Sequence, residues 1–210
     1  MTGPLRRRWE SVFPESPDLG AELIARWSEP HRHYHDLRHL AETVEALDLL
    51  GPTGRLEEIA LWFHDAIHTN SPGEDEHRSA ALAAHALPAA GLGAAETSEV
   101  VRLVLVTIDH RPAPADHAGA RVSDADLAVL AAGADRYRAS VRALRAESPQ
   151  LDERAWRAAR LAALAGFAAL QPLFHSPSGN ARWEALARAN LAAEREEHGA
   201  AQSSDGNSGE

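Results

Sequence analysis

Trp62-Phe63-His64-Asp65 sets an imidazole and a carboxylate side by side behind two aromatic residues in an apolar stretch. Such a pair at the polar edge of a buried helix suits a divalent metal ion, because both side chains offer lone pairs to a cation. Alone the doublet is weak, since His-Asp pairs arise by chance. It has company in His39 upstream and in Asp124 and Asp126 downstream. The chain has no cysteine, which excludes disulfides, thiolate ligands and cysteine nucleophiles and leaves imidazole and carboxylate to hold any metal. All 21 basic residues are arginine, so no lysine can serve as Schiff base or acid.

Helices must position these groups. Apolar residues recur at three- and four-residue steps and no convincing alternating strand interrupts them, so the expected fold is all-α. A first helix is expected over Leu19–Trp27, stopped before Pro30. Asp36 caps a second, whose apolar positions Leu37, Leu40, Val44 and Leu47 lead down to Gly51-Pro52. A third covers about Leu56 to Ile67, and Glu74-Asp75-Glu76 opens a fourth with acid in its first turn. Others are expected near Glu96–Asp109, from a cap at Ser123 or Asp124 through Leu130, and over Ala134–Glu147, Asp152–Leu170 and Asn180–Glu197. Arg111–Arg121 reads as a Pro-containing loop. The β-branched run Val100–Ile108 could mimic a strand, but its length and its neighbours favour helix. Residues 1–198 read as one domain and 199–210 as a disordered tail.

If the second and third helices pack antiparallel, His39 in the first turn of one approaches His64-Asp65 near the end of the other. Adjacent helical residues diverge by about 100°, so His64 and Asp65 would meet at a cation between them. Asp124 or Asp126 would close the set. Two imidazoles and two carboxylates suit Mn, Fe, Co, Ni or Zn better than Ca. The net charge of −10 argues against a nucleic-acid polymer as partner, which needs a basic face. No apolar run approaches the roughly 18 residues that span a bilayer, and a cytoplasmic location without membrane partners is expected.

The order His, His-Asp, Asp resembles the HD superfamily of metal-dependent phosphohydrolases, and more closely a subgroup of small bacterial predicted HD phosphohydrolases. That subgroup carries a Tyr-His-Asn-x-x-His start, a Trp-Phe-His-Asp centre and an Asp-Ala-Asp-Leu close. This chain has Tyr34-His35-Asp36-Leu37-Arg38-His39, Trp62-Phe63-His64-Asp65 and Asp124-Ala125-Asp126-Leu127. Thr107-Ile108-Asp109-His110 is similar to a Thr-x-x-His element, Asp75-Glu76-His77-Arg78-Ser79 to an Asn-Glu-x-x-Ser element, and Ala189-Asn190-Leu191 with Glu194 to a terminal helix. Asp36 and Asp75 stand where the subgroup usually has asparagine, adding negative charge near the expected metal, and His68 stands where tyrosine is usual.

The resemblance implies a single HD-type helical domain with additional C-terminal helices, and a divalent ion (Mn, Fe, Co, Ni, Zn or Mg) on His39, His64, Asp65 and Asp126. Asp126 is preferred to Asp124 because the superfamily's last aspartate tends to follow an alanine. It further implies hydrolysis of a phosphate ester on a small molecule, with a nucleotide as the favoured class, by a monomer or homodimer. Besides Asp65, Glu76 is the candidate to deprotonate the attacking water and His110 to contact phosphate. His35, Arg38, Arg78, Arg111 and His68 are the candidate substrate contacts. Some superfamily members hold two metals, and His85 and His110 lie where extra ligands would be. The alternatives are a two-metal oxygenase or hydrolase on the same scaffold, and a non-catalytic module that binds a nucleotide or metal.

Overall fold

The three- and four-residue apolar steps wind into helices wherever a cap or a glycine allows them to start. The computed structural model describes residues 1–52 and 54–205, with 200–205 described by backbone alone. Among the described residues there is helix and no strand, so the chain is all-α. The helices are α1 (Thr2–Val12), α2 (Pro17–Arg26), α3 (Leu37–Leu49), α4 (Arg55–Phe63), α5 (Glu74–Ala89), α6 (Ala94–Val106), α7 (His117–Leu127), α8 (Ala134–Ala146), α9 (Glu153–Ala169) and α10 (Pro177–Asp205), with a 3-10 turn at Ala128–Ala131. None of the helices is long and apolar enough to cross a membrane.

Several boundaries differ from expectation, each for a local reason. The basic start is helical: Leu5 and Trp9, one turn apart, bury themselves in the core as α1. Helix α4 ends at Phe63 rather than Ile67, which leaves His64 as its C-cap and Asp65 beyond it. The cap of α7 is Asp116, not Ser123 or Asp124. Its side chain accepts the Gly119 N–H at 2.9 Å and is pinned by the Arg102 guanidinium. The helix therefore runs through the second half of the expected loop and puts Asp126 near its C-terminal end. Helix α10 begins at Pro177 and continues to Asp205, past the tail boundary expected at Gly199; residues 206–210 lie outside the described residues.

Two adjoining apolar clusters make the interior. The larger, from α1 to α7, holds Trp9, Trp27, Leu40, Leu47, Trp62 and Phe63, and the smaller, from the end of α7 to α10, holds Leu127, Leu164, Phe174 and Leu191; Trp183 packs against both. Burial of each large aromatic removes about 150–250 Å² of apolar surface from water, the dominant favourable contribution here. Trp9 meets Trp62 edge-on at 5.2 Å between centroids. The Trp27 indole donates to the Trp62 carbonyl at 3.0 Å. That bond fixes the C-terminal end of α4, the point from which His64 and Asp65 project.

Candidate metal centre

His39 lies one turn into α3, whose N-terminus is fixed by the Asp36 carboxylate accepting from Arg38 N–H at 2.8 Å and His39 N–H at 3.2 Å. The same residue type that departs from the subgroup pattern is thus occupied with a helix cap. His64 Nδ1 donates to the Leu61 carbonyl at 2.7 Å, which commits one ring proton there and turns Nε2 to the carboxylates, where a proton or a metal can sit. Asp65 is placed by Arg32, a buried guanidinium donating to the carbonyls of His35 (3.0 Å), Asp65 (2.7 Å) and Ala66 (3.1 Å). Arg32 therefore stitches the chain ahead of α3 to the chain after α4.

Four ring and carboxylate atoms, from α3, from the chain just past α4 and from α7, converge. His64 Nε2 lies 3.0 Å from Asp65 Oδ2, 3.4 Å from Asp126 Oδ1 and 3.3 Å from His39 Nε2. His39 Nε2 lies 3.1 Å from Asp126 Oδ1 and 3.7 Å from Asp65 Oδ2. Ligands each about 2.0–2.2 Å from one ion, at tetrahedral or octahedral angles, stand roughly 3–3.5 Å apart. The separations among His39, His64 and Asp126, and that of His64 from Asp65, fit that requirement, while Asp65 stands slightly wide of His39. Two imidazoles with carboxylates are the donor set of a borderline divalent cation. His39, His64 and Asp126 are thus a group that could hold a metal ion, with Asp65 beside it.

The electrostatics follow. Burial pushes the His64 pKa down, but the carboxylates of Asp65 and Asp126 outweigh it and raise it well above the ordinary value. Burial would raise the carboxyls of Asp65 and Asp126, yet the charge of His64, with His35 acting on Asp65 and a hydrogen bond from His39 on Asp126, holds both well below the usual range. The site concentrates negative charge and demands a cation, whether proton or metal.

Above it opens a cleft of about 240 Å³, lined by Tyr34, His35, His39, Asp65, Glu76, Thr107, His110 and Asp126 on one side and by Leu130, Ser140, Arg160 and Phe167 on the other. Glu76 sits in the first turn of α5, its carboxylate accepting the Gly73 N–H. Burial, with the nearby Asp65 and Asp75 charges, raises its pKa. His110 takes a left-handed backbone (φ 54°) that an L residue adopts at a cost of about 1 kcal/mol or more. Its Nδ1 is 3.1 Å from Ser123 Oγ and its Nε2 3.8 Å from Asp126. Burial lowers its pKa, so the ring is neutral near pH 7.

Other expected residues stand elsewhere. Asp124 faces away and accepts the backbone N–H groups of His175 and Ser176, both at 2.7 Å, stapling the start of α10. Of the pair left open by spacing, Asp126 is the one that converges. Arg38 and Arg78 are half-exposed and paired with Glu42 and Glu74 on their own helices, and Arg111 is exposed; none lines the cleft. His85 is exposed on α5. Asp75 accepts from Thr69 and Ser71 and ties down the α4–α5 loop, and its charge reaches the cleft through Glu76. His68 lies outside the cleft, against Glu147. The wall from α8 and α9 went unread in the sequence: Arg160 and Phe167 sit in ordinary amphipathic helices, with nothing local to mark them. No family model, curated protein or solved structure matches the chain.

Proposed function

We propose that this protein is a metal-dependent phosphohydrolase acting on a small phosphorylated molecule, a nucleotide being the favoured class. The observation that carries the reading is the convergence of His39, His64, Asp65 and Asp126 at the floor of a cleft that also holds Glu76. A phosphate ester is favoured over other hydrolysable bonds by the order of motifs from Tyr34 to Asp126. The cleft, about 240 Å³, is below the roughly 300–1,000 Å³ of pockets that engulf a drug-sized ligand. It suits a phosphate and its sugar, with a base lying outside.

A metal ion on the four ligands supplies Lewis acidity and a water ionisable near neutral pH. The chain's own groups do the rest. Glu76, with one oxygen anchored by the Gly73 N–H, has a second oxygen to accept a proton from water. Neutral His110, fixed by Ser123 and by its backbone, offers a hydrogen bond to a phosphoryl oxygen. Arg160 is already held in two hydrogen bonds by Glu194 (2.7 and 2.9 Å), so it shapes the wall more than it neutralises charge.

The test is stripping by a chelator followed by a phosphate-release screen over nucleotides and sugar phosphates, with divalent ions restored one at a time. Release that returns only with a borderline ion is expected. Metal bound without release from any substrate would replace this reading with the non-catalytic binding module.

Glu76→Gln is expected to lower kcat by roughly 10²–10⁴-fold, the ordinary worth of a positioned base, while metal content is unchanged. The base works deprotonated and its pKa is raised above 4.5, so the wild-type rate climbs with pH through that raised value. A pH–rate profile of the variant should lack this acidic limb.

A further inference from the structure

A second group of imidazoles and carboxylate lies outside the four-ligand centre. His35 precedes α3, His68 lies between α4 and α5, and Glu147 caps the end of α8, so only the folded chain assembles them. One donor atom from each falls within 4.8 Å of the other two. We propose that His35, His68 and Glu147 form a second divalent-metal site, selective for borderline ions such as Zn²⁺, Co²⁺ or Ni²⁺, which clamps these three segments together.

Glu147 is built for the role. Its Oε1 accepts the backbone N–H groups of His33, Tyr34 and His35 at 2.8, 2.8 and 2.9 Å, which immobilises the carboxylate. Its Oε2 is turned to the two rings, 2.7 Å from His35 Nδ1 and 3.4 Å from His68 Nε2. The His68 side chain is 9 % exposed. Its Nε2 is buried and faces the Glu147 carboxylate at 3.4 Å without the alignment of a hydrogen bond. A buried ring nitrogen left in poor alignment with its carboxylate is costly, and a cation shared with Glu147 would satisfy both.

The loop carrying His68 is held in place by other contacts. The Asn70 amide donates to the Glu147 carbonyl and lies 3.3 Å from Ser148 Oγ, and the His68 carbonyl is 2.8 Å from His31 Nε2. The His35 and His68 rings are 4.2 Å apart. Cavities of about 340 and 90 Å³ flank the cluster, one bounded by His33, Asn70 and Gln150 and the other by Asp65 and Glu76. They leave room for water to complete a three-ligand site, and the second joins the cluster to the floor of the cleft. Two imidazoles and one carboxylate are too nitrogen-rich for Ca²⁺ or Mg²⁺. Binding must displace the His35 proton now shared with Glu147, so the site loads with proton release.

This site does not rest on the hydrolytic reading and is tested without it. Metal-stripped protein is titrated with Zn²⁺ and Co²⁺, and bound metal is counted after dialysis in the wild type, His64→Ala, His68→Ala and the double variant. Two equivalents are expected in the wild type, one in each single variant and none in the double, with Zn²⁺ raising the Tm of His64→Ala. His68→Gln, a polar replacement of similar length, and circular dichroism guard against a folding defect. A wild type that binds one equivalent, lost in His64→Ala and kept in His68→Ala, overturns this site and leaves the four-ligand centre standing. One equivalent lost in His68→Ala and kept in His64→Ala supports this site and sinks the other. Two equivalents that both survive His68→Ala and His68→Gln also overturn it.

Discussion

Replacing Asp65 by alanine is expected to lower kcat/KM for phosphate release by roughly three orders of magnitude, about 4 kcal/mol of transition-state stabilisation. The variant should also bind metal at the four-ligand centre more weakly while keeping its fold. Asp65 Oδ2 is 3.0 Å from His64 Nε2 and 3.7 Å from His39 Nε2, so on the proposed function its loss would remove one of the two carboxylates gathered there to balance a cation. The fold should persist because the residue is held through its backbone: Arg32 binds the Asp65 carbonyl, not its side chain. Metal counting, circular dichroism and a phosphate assay on one preparation make the check. Undiminished release in a folded variant would remove Asp65 from the mechanism.

The sequence carried the ligand set further than it carried the elements that present it. His39 and His64-Asp65 were legible because each sits beside a local signal: the Asp36 cap fixes the first turn of α3, and the apolar run Ile59–Phe63 fixes the end of α4. Asp126 was legible as a ligand candidate but not in its placement. The start of α7 is set by Arg102 reaching back from α6 to Asp116, a contact between elements that no window along the chain contains. The arginine candidates stand apart from the cleft for the opposite reason. Arg38 with Glu42 and Arg78 with Glu74 stand at the spacing of surface ion pairs, and that spacing outweighed any attraction toward the cleft. Glu147 gave no signal, since its partners His33, Tyr34, His35 and His68 are far away in the chain and nothing around it departs from an ordinary helix end.

Arg160→Ala is expected to cost about 3–5 kcal/mol of stability, the penalty for leaving a buried charge without its partner. Arg160 on α9 and Glu194 on α10 are both buried, joined by hydrogen bonds of 2.7 and 2.9 Å, and Tyr137 of α8 donates to the same carboxylate at 2.6 Å. This one network ties α8 and α9, which form the far wall of the cleft, to α10 behind them. Removing the guanidinium leaves the Glu194 carboxylate with Tyr137 and His198 alone, so it must protonate or draw in water. Replacing the whole network by Arg160→Met, Tyr137→Phe and Glu194→Leu should instead cost less, because the buried polar groups go together and the partly exposed His198, 3.5 Å from Glu194, can turn to water. Acid gives an independent reading. Burial pushes the Glu194 carboxyl up, but Arg160 outweighs it and holds the pKa below the ordinary 4.5. A carboxyl depressed in the folded state stabilises above its unfolded pKa, and that contribution fades as pH falls through the folded one. The wild type should therefore lose stability on acidification below about pH 4.5, and the triple variant should lose less over the same range. Urea denaturation at several pH values separates the two. A single Arg160→Ala variant as stable as the wild type would mean that Glu194 finds solvent without cost, and that the far wall is held by apolar packing alone.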